Sequence, residues 1–168
     1  LLRFGTWVGG DMDGNPNVGA TTVRDALAAQ RAQALACYQS DLRALGDILT
    51  QSEERVGFDA AILERTEAYK ALLPDGVVRA RPRLADMPYR QLLGQMRGRL
   101  AATVAGGTGA YPDAGAFIDD LELIDCSLAR HRGDQAGRFA LQRVLWRART
   151  FGFHMAALDL RQDSAAHD

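Results

Sequence analysis

Phe4-Gly5-Thr6-Trp7-Val8-Gly9-Gly10-Asp11-Met12-Asp13-Gly14-Asn15-Pro16-Asn17-Val18 is the stretch on which the reading of the fold turns. A short apolar segment runs directly into glycines, aspartates and asparagines, with a proline near the end. An ordinary surface turn needs far less specialised backbone. The pattern predicts a strand that delivers a shaped polar loop to one point in space, the kind of loop on a rigid element that carries binding and catalysis.

Helix signals dominate beyond this loop. Thr21 or Thr22 is placed to cap a long helix whose apolar seam is Val23, Leu27, Ala34/Leu35, Tyr38, Leu42, Leu45 and Ile48/Leu49. Gly57 breaks the pattern, and Asp59 starts a shorter helix through Ile62, Leu63, Tyr69 and Leu72, which Pro74-Asp75-Gly76 ends with turn chemistry. Val77 to Met87 carries Pro82 and several charges and reads as a connection. Pro88 suits a first helical turn, with the seam Tyr89, Leu92/Leu93, Met96, Leu100 and Val104 behind it. Gly106-Gly107-Thr108-Gly109 is a break. Asp113 caps a helix through Phe117, Leu121, Ile124 and Leu128, and a last helix holds Phe139, Val144, Leu145 and Ala148 to about Arg149. Trp146, mid-helix with no polar motif beside it, is expected in the core. The helical aspartates and glutamates read as solvated faces.

Phe153 to Gln162 is short and apolar and ends in Asp159-Leu160-Arg161-Gln162-Asp163-Ser164; it is read as a second strand. The expected layout is one mainly α unit: strand and Gly/Asp loop over residues 1–20, helices over 21–150, strand and Arg loop over 151–168. Two lone strands do not make a stable sheet. They would be satisfied as members of a larger sheet or barrel whose other strands lie elsewhere. The chain opens on Leu1-Leu2-Arg3-Phe4 and closes just after the second motif, so a piece of a longer protein is expected.

Composition narrows the function classes. The 168 residues are 47% hydrophobic, enough for a sizeable core. A formal net charge of −1 argues against a nucleic-acid or membrane-surface partner, both of which select a basic excess. Lys70 is the only lysine, so the positive charge is almost all arginine. Cys37 and Cys126 lack ligand-like spacing and are expected to be buried free thiols in a reducing cytoplasm. No signal peptide or membrane-length apolar run is present in the sequence.

Each candidate site feature has a bland reading beside the functional one. Asp11, Asp13 and Asn15 alternate as calcium-loop ligands do, but Gly14 and Pro16 are misplaced for an EF-hand and Thr22 stands where a bidentate Glu is required. Otherwise these side chains brace a tight turn. Trp7 is either core or the wall of a pocket. Arg161 closes an apolar strand, where a charge needs a partner. Either Asp159, two residues earlier on the same strand face, pairs with it, or the guanidinium points into a mouth and binds an anion. His131, His154 and His167 show no spacing that suggests a metal site, and no nucleotide phosphate loop is present.

Two separated motifs coincide with one family. Phe4 to Val18 resembles the Phe-Gly-Ser-Trp-x-Gly-Gly-Asp-Arg-Asp-Gly-Asn-Pro signature of phosphoenolpyruvate carboxylase. Leu158-Asp159-Leu160-Arg161-Gln162-Asp163-Ser164, with His167 three residues on, resembles that family's Asp-Ile-Arg-Gln-Glu-Ser-x-x-His. Pro88-Tyr89-Arg90 is similar to a family segment between them. The resemblance implies a mainly helical protein around a TIM-type β/α barrel, in which both strands are barrel members and the motifs lie at their C-terminal ends, where such barrels keep their active sites. It implies conversion of phosphoenolpyruvate and bicarbonate into oxaloacetate and phosphate with Mg²⁺ or Mn²⁺, in a cytoplasmic, allosterically controlled homotetramer.

By that resemblance Arg161 and Trp7 are the candidate catalytic residues. Arg161 matches a phosphate-binding arginine and Trp7 a tryptophan lining the apolar pocket near the reacting carbon. Gly9, Gly10, Asp11 and Asn15 would shape the mouth. Met12 stands where the commonest family pattern has Arg, so position 12 receives no anion-binding role, and Asp163 replaces Glu conservatively. The family's active-site histidines, metal-binding carboxylates, catalytic lysine and Gly/Arg-rich mobile loop have no counterpart here. No metal ligand is therefore assigned to this chain, the remaining groups are expected in the rest of the same polypeptide, and this piece alone is expected to be inactive. The competing reading is a stand-alone helical binding or scaffold domain that keeps the motifs as structural turns.

Overall fold

The computed structural model describes residues 4–13, 15–74 and 86–162. The readings made for Gly14, for the Asp75-Gly76 turn, for most of the Val77–Met87 connection and for Asp163, Ser164 and His167 fall outside these residues. The elements run β1 (Gly5–Thr6), α1 (Ala20–Ile48), α2 (Ala60–Leu72), α3 (Pro88–Ala105), α4 (Ala114–Arg130), α5 (Arg138–Phe151) and β2 (Ala157–Leu158), with a 3-10 turn at Gly133–Gln135. The fold is mainly α, as expected.

Local chemistry accounts for the helix ends. Asp113 accepts from the Ala116 N–H at 2.9 Å and so caps α4. Pro88 occupies the first turn of α3, where its missing N–H is harmless. α1 differs from expectation: Gly19 is the cap, and Thr22 sits three residues into the helix. The Thr22 Oγ1 accepts from the Gly19 N–H at 3.3 Å, half of a capping box.

α1 packs mainly on α3, α2 on α3, and α4 on α5. The seams Tyr38, Leu42 and Leu45, then Leu92, Met96 and Leu100, then Phe117, Leu121, Ile124 and Leu128 form one buried cluster. The cluster begins on α1 only at Ala34; Leu27 and Ile48 are exposed, and so is Val104 of α3. Trp146 is not a core residue. It is 51% exposed and meets exposed Phe139 edge-on, with 6.1 Å between ring centres. The residues of α5 that face the core are Leu141, Val144, Leu145 and Ala148, an arc that position 146 lies outside. The cysteines are free thiols but not buried: Cys37 is partly exposed and Cys126 exposed.

One helical acid contradicts the solvated-face reading. Asp120 is fully buried and accepts from the Tyr69 hydroxyl at 2.8 Å, the Tyr111 hydroxyl at 2.6 Å and the Arg65 guanidinium. Arg99 lies over both tyrosine rings, 4.3 Å from the centre of Tyr69 and 3.9 Å from that of Tyr111. It also donates to the Gly109 and Ala110 carbonyls at 3.1 Å each. Burial pushes the Asp120 carboxyl above its ordinary value, against the opposing pull of Tyr111, Tyr69 and Arg65. The network ties α2, α3 and α4 together through a buried carboxylate whose hydrogen bonds come from Tyr69, Tyr111 and Arg65.

Candidate functional site

β1 and β2 pair in parallel, Gly5 with Ala157 and Thr6 with Leu158. The Ala157 N–H donates to the Phe4 carbonyl at 2.9 Å and the Asp159 N–H to the Thr6 carbonyl at 2.7 Å. The expected strand from Phe153 is shorter than read. Phe153 is buried beside Tyr38, Tyr111 and Phe117, and the chain becomes extended only at Ala157. Positive φ at Gly152 and Met155 separates the two conformations.

The helices fix this approach. The Tyr38 hydroxyl of α1 donates to the Gly152 carbonyl at 2.8 Å, and Phe4 stacks on Phe151 at the end of α5, with 5.3 Å between ring centres. Burial of Tyr38 pushes its hydroxyl up to about 12.

Beyond β1 the chain folds back on β2. The Gly10 N–H donates to the Trp7 carbonyl at 2.8 Å and closes a turn, in which Gly9 takes φ of 86°. The Arg161 N–H donates to the Gly10 carbonyl at 2.9 Å, and the Met12 N–H to the Arg161 carbonyl at 2.8 Å, so Asp11 and Arg161 form a parallel bridge. Gly10 is buried at this seam, and a Cβ there would lie 2.5 Å from the Asp159 carbonyl oxygen. A Cβ on Gly9 would lie 2.6 Å from the Cβ of Ala26 on α1. Both glycines are therefore needed for close approach, one to β2 and one to α1.

Side-chain alternation puts Gly5, Trp7, Ala157, Asp159 and Arg161 on one exposed face, while Thr6 and Leu158 turn partly inward. On the exposed face the Arg161 guanidinium carbon lies 4.7 Å from the Trp7 ring centre. Trp7 is 55% exposed, so it is not core. Among the described residues no carboxylate pairs with Arg161, and the Asp159–Arg161 pair does not form. The structure thus brings together two residues about 150 positions apart, and no carboxylate among the described residues occupies the donor edge of the guanidinium.

The loop polar groups divide. Asn15 braces the turn, its Oδ1 accepting from the Asn17 N–H at 3.1 Å. The aspartates do not: among the described residues the Asp11 Oδ1 is buried without a hydrogen-bond partner, and Asp13 is exposed. No group of three or more His, Cys, Asp or Glu side chains suited to a metal ion is brought together among the described residues. A shallow groove between α2 and α4, lined in part by Asp59, Arg65, Glu122 and Arg130, contains none of the sequence-selected site residues. No helix among the described residues is long and apolar enough to cross a membrane. Sequence reasoning missed the contact role of Gly10, although a paired glycine after a strand is its signal, and missed Asp120.

Known proteins match the same two motifs and everything between them. The family model described as phosphoenolpyruvate carboxylase matches residues 1–168. The chain is 52% identical over 167 residues to the phosphoenolpyruvate carboxylase of Xanthomonas oryzae pv. oryzae, a match covering 99% of this chain and 18% of that protein. A second Xanthomonas protein of that name, from X. campestris pv. campestris, is also 52% identical over the same shares. That of Burkholderia vietnamiensis is 35% identical over 187 aligned residues, covering all of this chain and 18% of the relative. The chain spans about a fifth of the length of these curated relatives, and it belongs to the phosphoenolpyruvate carboxylase family.

Proposed function

We propose that this chain supplies part of the substrate pocket of a phosphoenolpyruvate carboxylase. Arg161 would grip the substrate phosphate, Trp7 would form the apolar wall beside the reacting carbon, and Gly9, Gly10, Asp11 and Asn15 would shape the mouth. The observation that carries this reading is the Arg161 guanidinium held over Trp7 with no carboxylate partner among the described residues. A guanidinium presents N–H donors in a fork that matches phosphate oxygens, and among the described residues no acid uses them.

The reaction makes two physical demands. Bicarbonate attacks the phosphorus of phosphoenolpyruvate, forming carboxyphosphate as the bond to the enol oxygen breaks and the enolate of pyruvate leaves. Carboxyphosphate then releases phosphate and CO₂, and the enolate carbon captures the CO₂ to give oxaloacetate. Charge on the transferring phosphoryl group must be met by fixed cations, which is the part Arg161 would play. Water must be kept from the enolate, because a proton there yields pyruvate; an indole wall suits that task.

Mg²⁺ or Mn²⁺ would supply further charge stabilisation in the whole protein. In this reading its carboxylate ligands belong to the rest of the polypeptide. The same reading makes β1 and β2 members of a TIM-type barrel completed by that remainder, in a cytoplasmic homotetramer under allosteric control. It also makes the chain inactive by itself, as a single unit of strand and loop (1–20), helices (21–150), and strand and loop (151–168).

The test is steady-state kinetics of the intact enzyme carrying Arg161→Ala. Loss of one transition-state phosphate contact lowers kcat/KM for phosphoenolpyruvate by about 10²–10³-fold. Unchanged kinetics would remove Arg161 from the pocket.

A further inference from the structure

We infer that Trp7 is also a positioning residue: its indole face is the platform that holds the Arg161 guanidinium in register for phosphate. The inference rests on the phosphate role of Arg161 proposed above and extends it to how that side chain is held. The backbone of Arg161 is fixed on both sides, by the 2.9 Å bond from its N–H to the Gly10 carbonyl and the 2.8 Å bond from the Met12 N–H to its own carbonyl. Those bonds stop at the main chain. The side chain beyond them is long, rich in rotamers and exposed, and it loses that freedom only if something holds it.

Two kinds of side-chain partner have opposite consequences for an arginine that is to bind an anion. A carboxylate takes up its N–H donors and cancels its charge, which competes with an anionic substrate. An aromatic face attracts the cation through the ring quadrupole and leaves the N–H edge free. Among the described residues Arg161 has the second kind and lacks the first: Trp7 at 4.7 Å, with Asp159 unpaired to it although it shares the same exposed face. Tryptophan is the strongest of the aromatic platforms. The Trp7 end is fixed as well, since its carbonyl accepts from the Gly10 N–H at 2.8 Å. Gly10 therefore joins both partners through one peptide unit on each side, which sets the indole and the guanidinium against each other.

A platform and a wall make different demands on position 7. A wall needs apolar bulk; a platform needs a π face. The intact enzyme is compared as wild type, Trp7→Phe, Trp7→Leu, Arg161→Ala and the Trp7→Leu/Arg161→Ala double variant. The readouts are KM for phosphoenolpyruvate, the inhibition constant of inorganic phosphate as competitor, and the ratio of oxaloacetate to pyruvate formed. Trp7 is exposed, so its replacement leaves the helical core intact. The expected result is that Trp7→Leu weakens phosphate inhibition by about 5- to 20-fold, that Trp7→Phe restores most of it, and that Trp7→Leu has no further effect on phosphate once Arg161 is alanine. Unchanged phosphate inhibition in Trp7→Leu, with only the product ratio shifted toward pyruvate, would leave Trp7 a wall and overturn the platform. An equal Trp7→Leu effect with and without Arg161 would overturn it too. If Arg161→Ala itself leaves phosphate inhibition unchanged, the phosphate role of Arg161 fails and the platform falls with it. A damaging Arg161→Ala beside a silent Trp7→Leu refutes the platform alone.

Discussion

At the scale of single residues, position and partner decide what a side chain does more than its type. Tyr38 shows this on the core side of the site. Its hydroxyl donates to the Gly152 carbonyl at 2.8 Å, and burial, the largest cause, raises it from an ordinary 10.0 to about 12. Because the folded value lies above the unfolded one, the stability it contributes is complete below pH 10 and is lost as pH rises to about 12. Buried Tyr69, Tyr89 and Tyr111 are shifted in the same direction and add to the alkaline loss. Tyr38→Phe is expected to lower stability by about 1 kcal/mol at neutral pH, where the hydrogen bond is lost. It should also flatten the fall above pH 10, as read from circular dichroism during alkaline titration. An alkaline transition unchanged by the substitution would show that Tyr38 ionises alike in the folded and unfolded chain.

The reach of sequence reasoning is visible at this scale too. Trp7 and Arg161 stand out in the sequence as site candidates because two motifs with chemistry of their own point to one family; the stacking of one on the other was not legible, since it depends on the pairing of β1 with β2. The orphaned Asp11 oxygen was not legible either, since whether a loop aspartate braces its own turn depends on backbone geometry that composition does not specify. Trp146 lies outside the core although its residue type suggests burial, because positions 141, 144, 145 and 148 define the inward arc of α5. Asp120 carried a readable signal in the same way. It lies three residues after Phe117 and four before Ile124, within the buried seam of α4.

At the scale of elements, the site is a loop clamped onto a strand end. Helix positions were legible from apolar periodicity and from caps such as Asp113 and Pro88. The start of β2 was not, because Phe153 is as suited to a strand as to the aromatic cluster that holds it, and the tertiary contact decides. The clamp itself depends on Gly10. A methyl group there meets the Asp159 carbonyl oxygen at 2.5 Å, backbone against backbone, and nothing flexible can yield. Gly10→Ala in the intact enzyme is expected to separate the loop from β2 and displace Trp7 from Arg161. The result should be a rise of about tenfold or more in KM for phosphoenolpyruvate, with the helices retained by circular dichroism. Wild-type KM in Gly10→Ala would mean that the clamp does not set the pocket.

At the scale of the whole molecule, the five helices among the described residues hold two strand ends side by side. α1 leaves directly from the first loop and α5 leads back to the second. The Asp120 network and the aromatic cluster fix the bundle between them. The two strands pair only with each other among the described residues, and their site face is exposed. A protein several times longer, as in the relatives of which this chain spans 18%, has ample chain to cover that face. The helical class was legible in the sequence, because apolar residues recur at helical spacing along most of it.

The most direct test is a crystal structure of the intact protein with a non-reactive phosphoenolpyruvate analogue bound. The expected result places phosphate oxygens about 2.8 Å from the Arg161 guanidinium, with that guanidinium still over the Trp7 ring. A phosphate bound elsewhere, with Arg161 turned away from both it and Trp7, would contradict the proposed site.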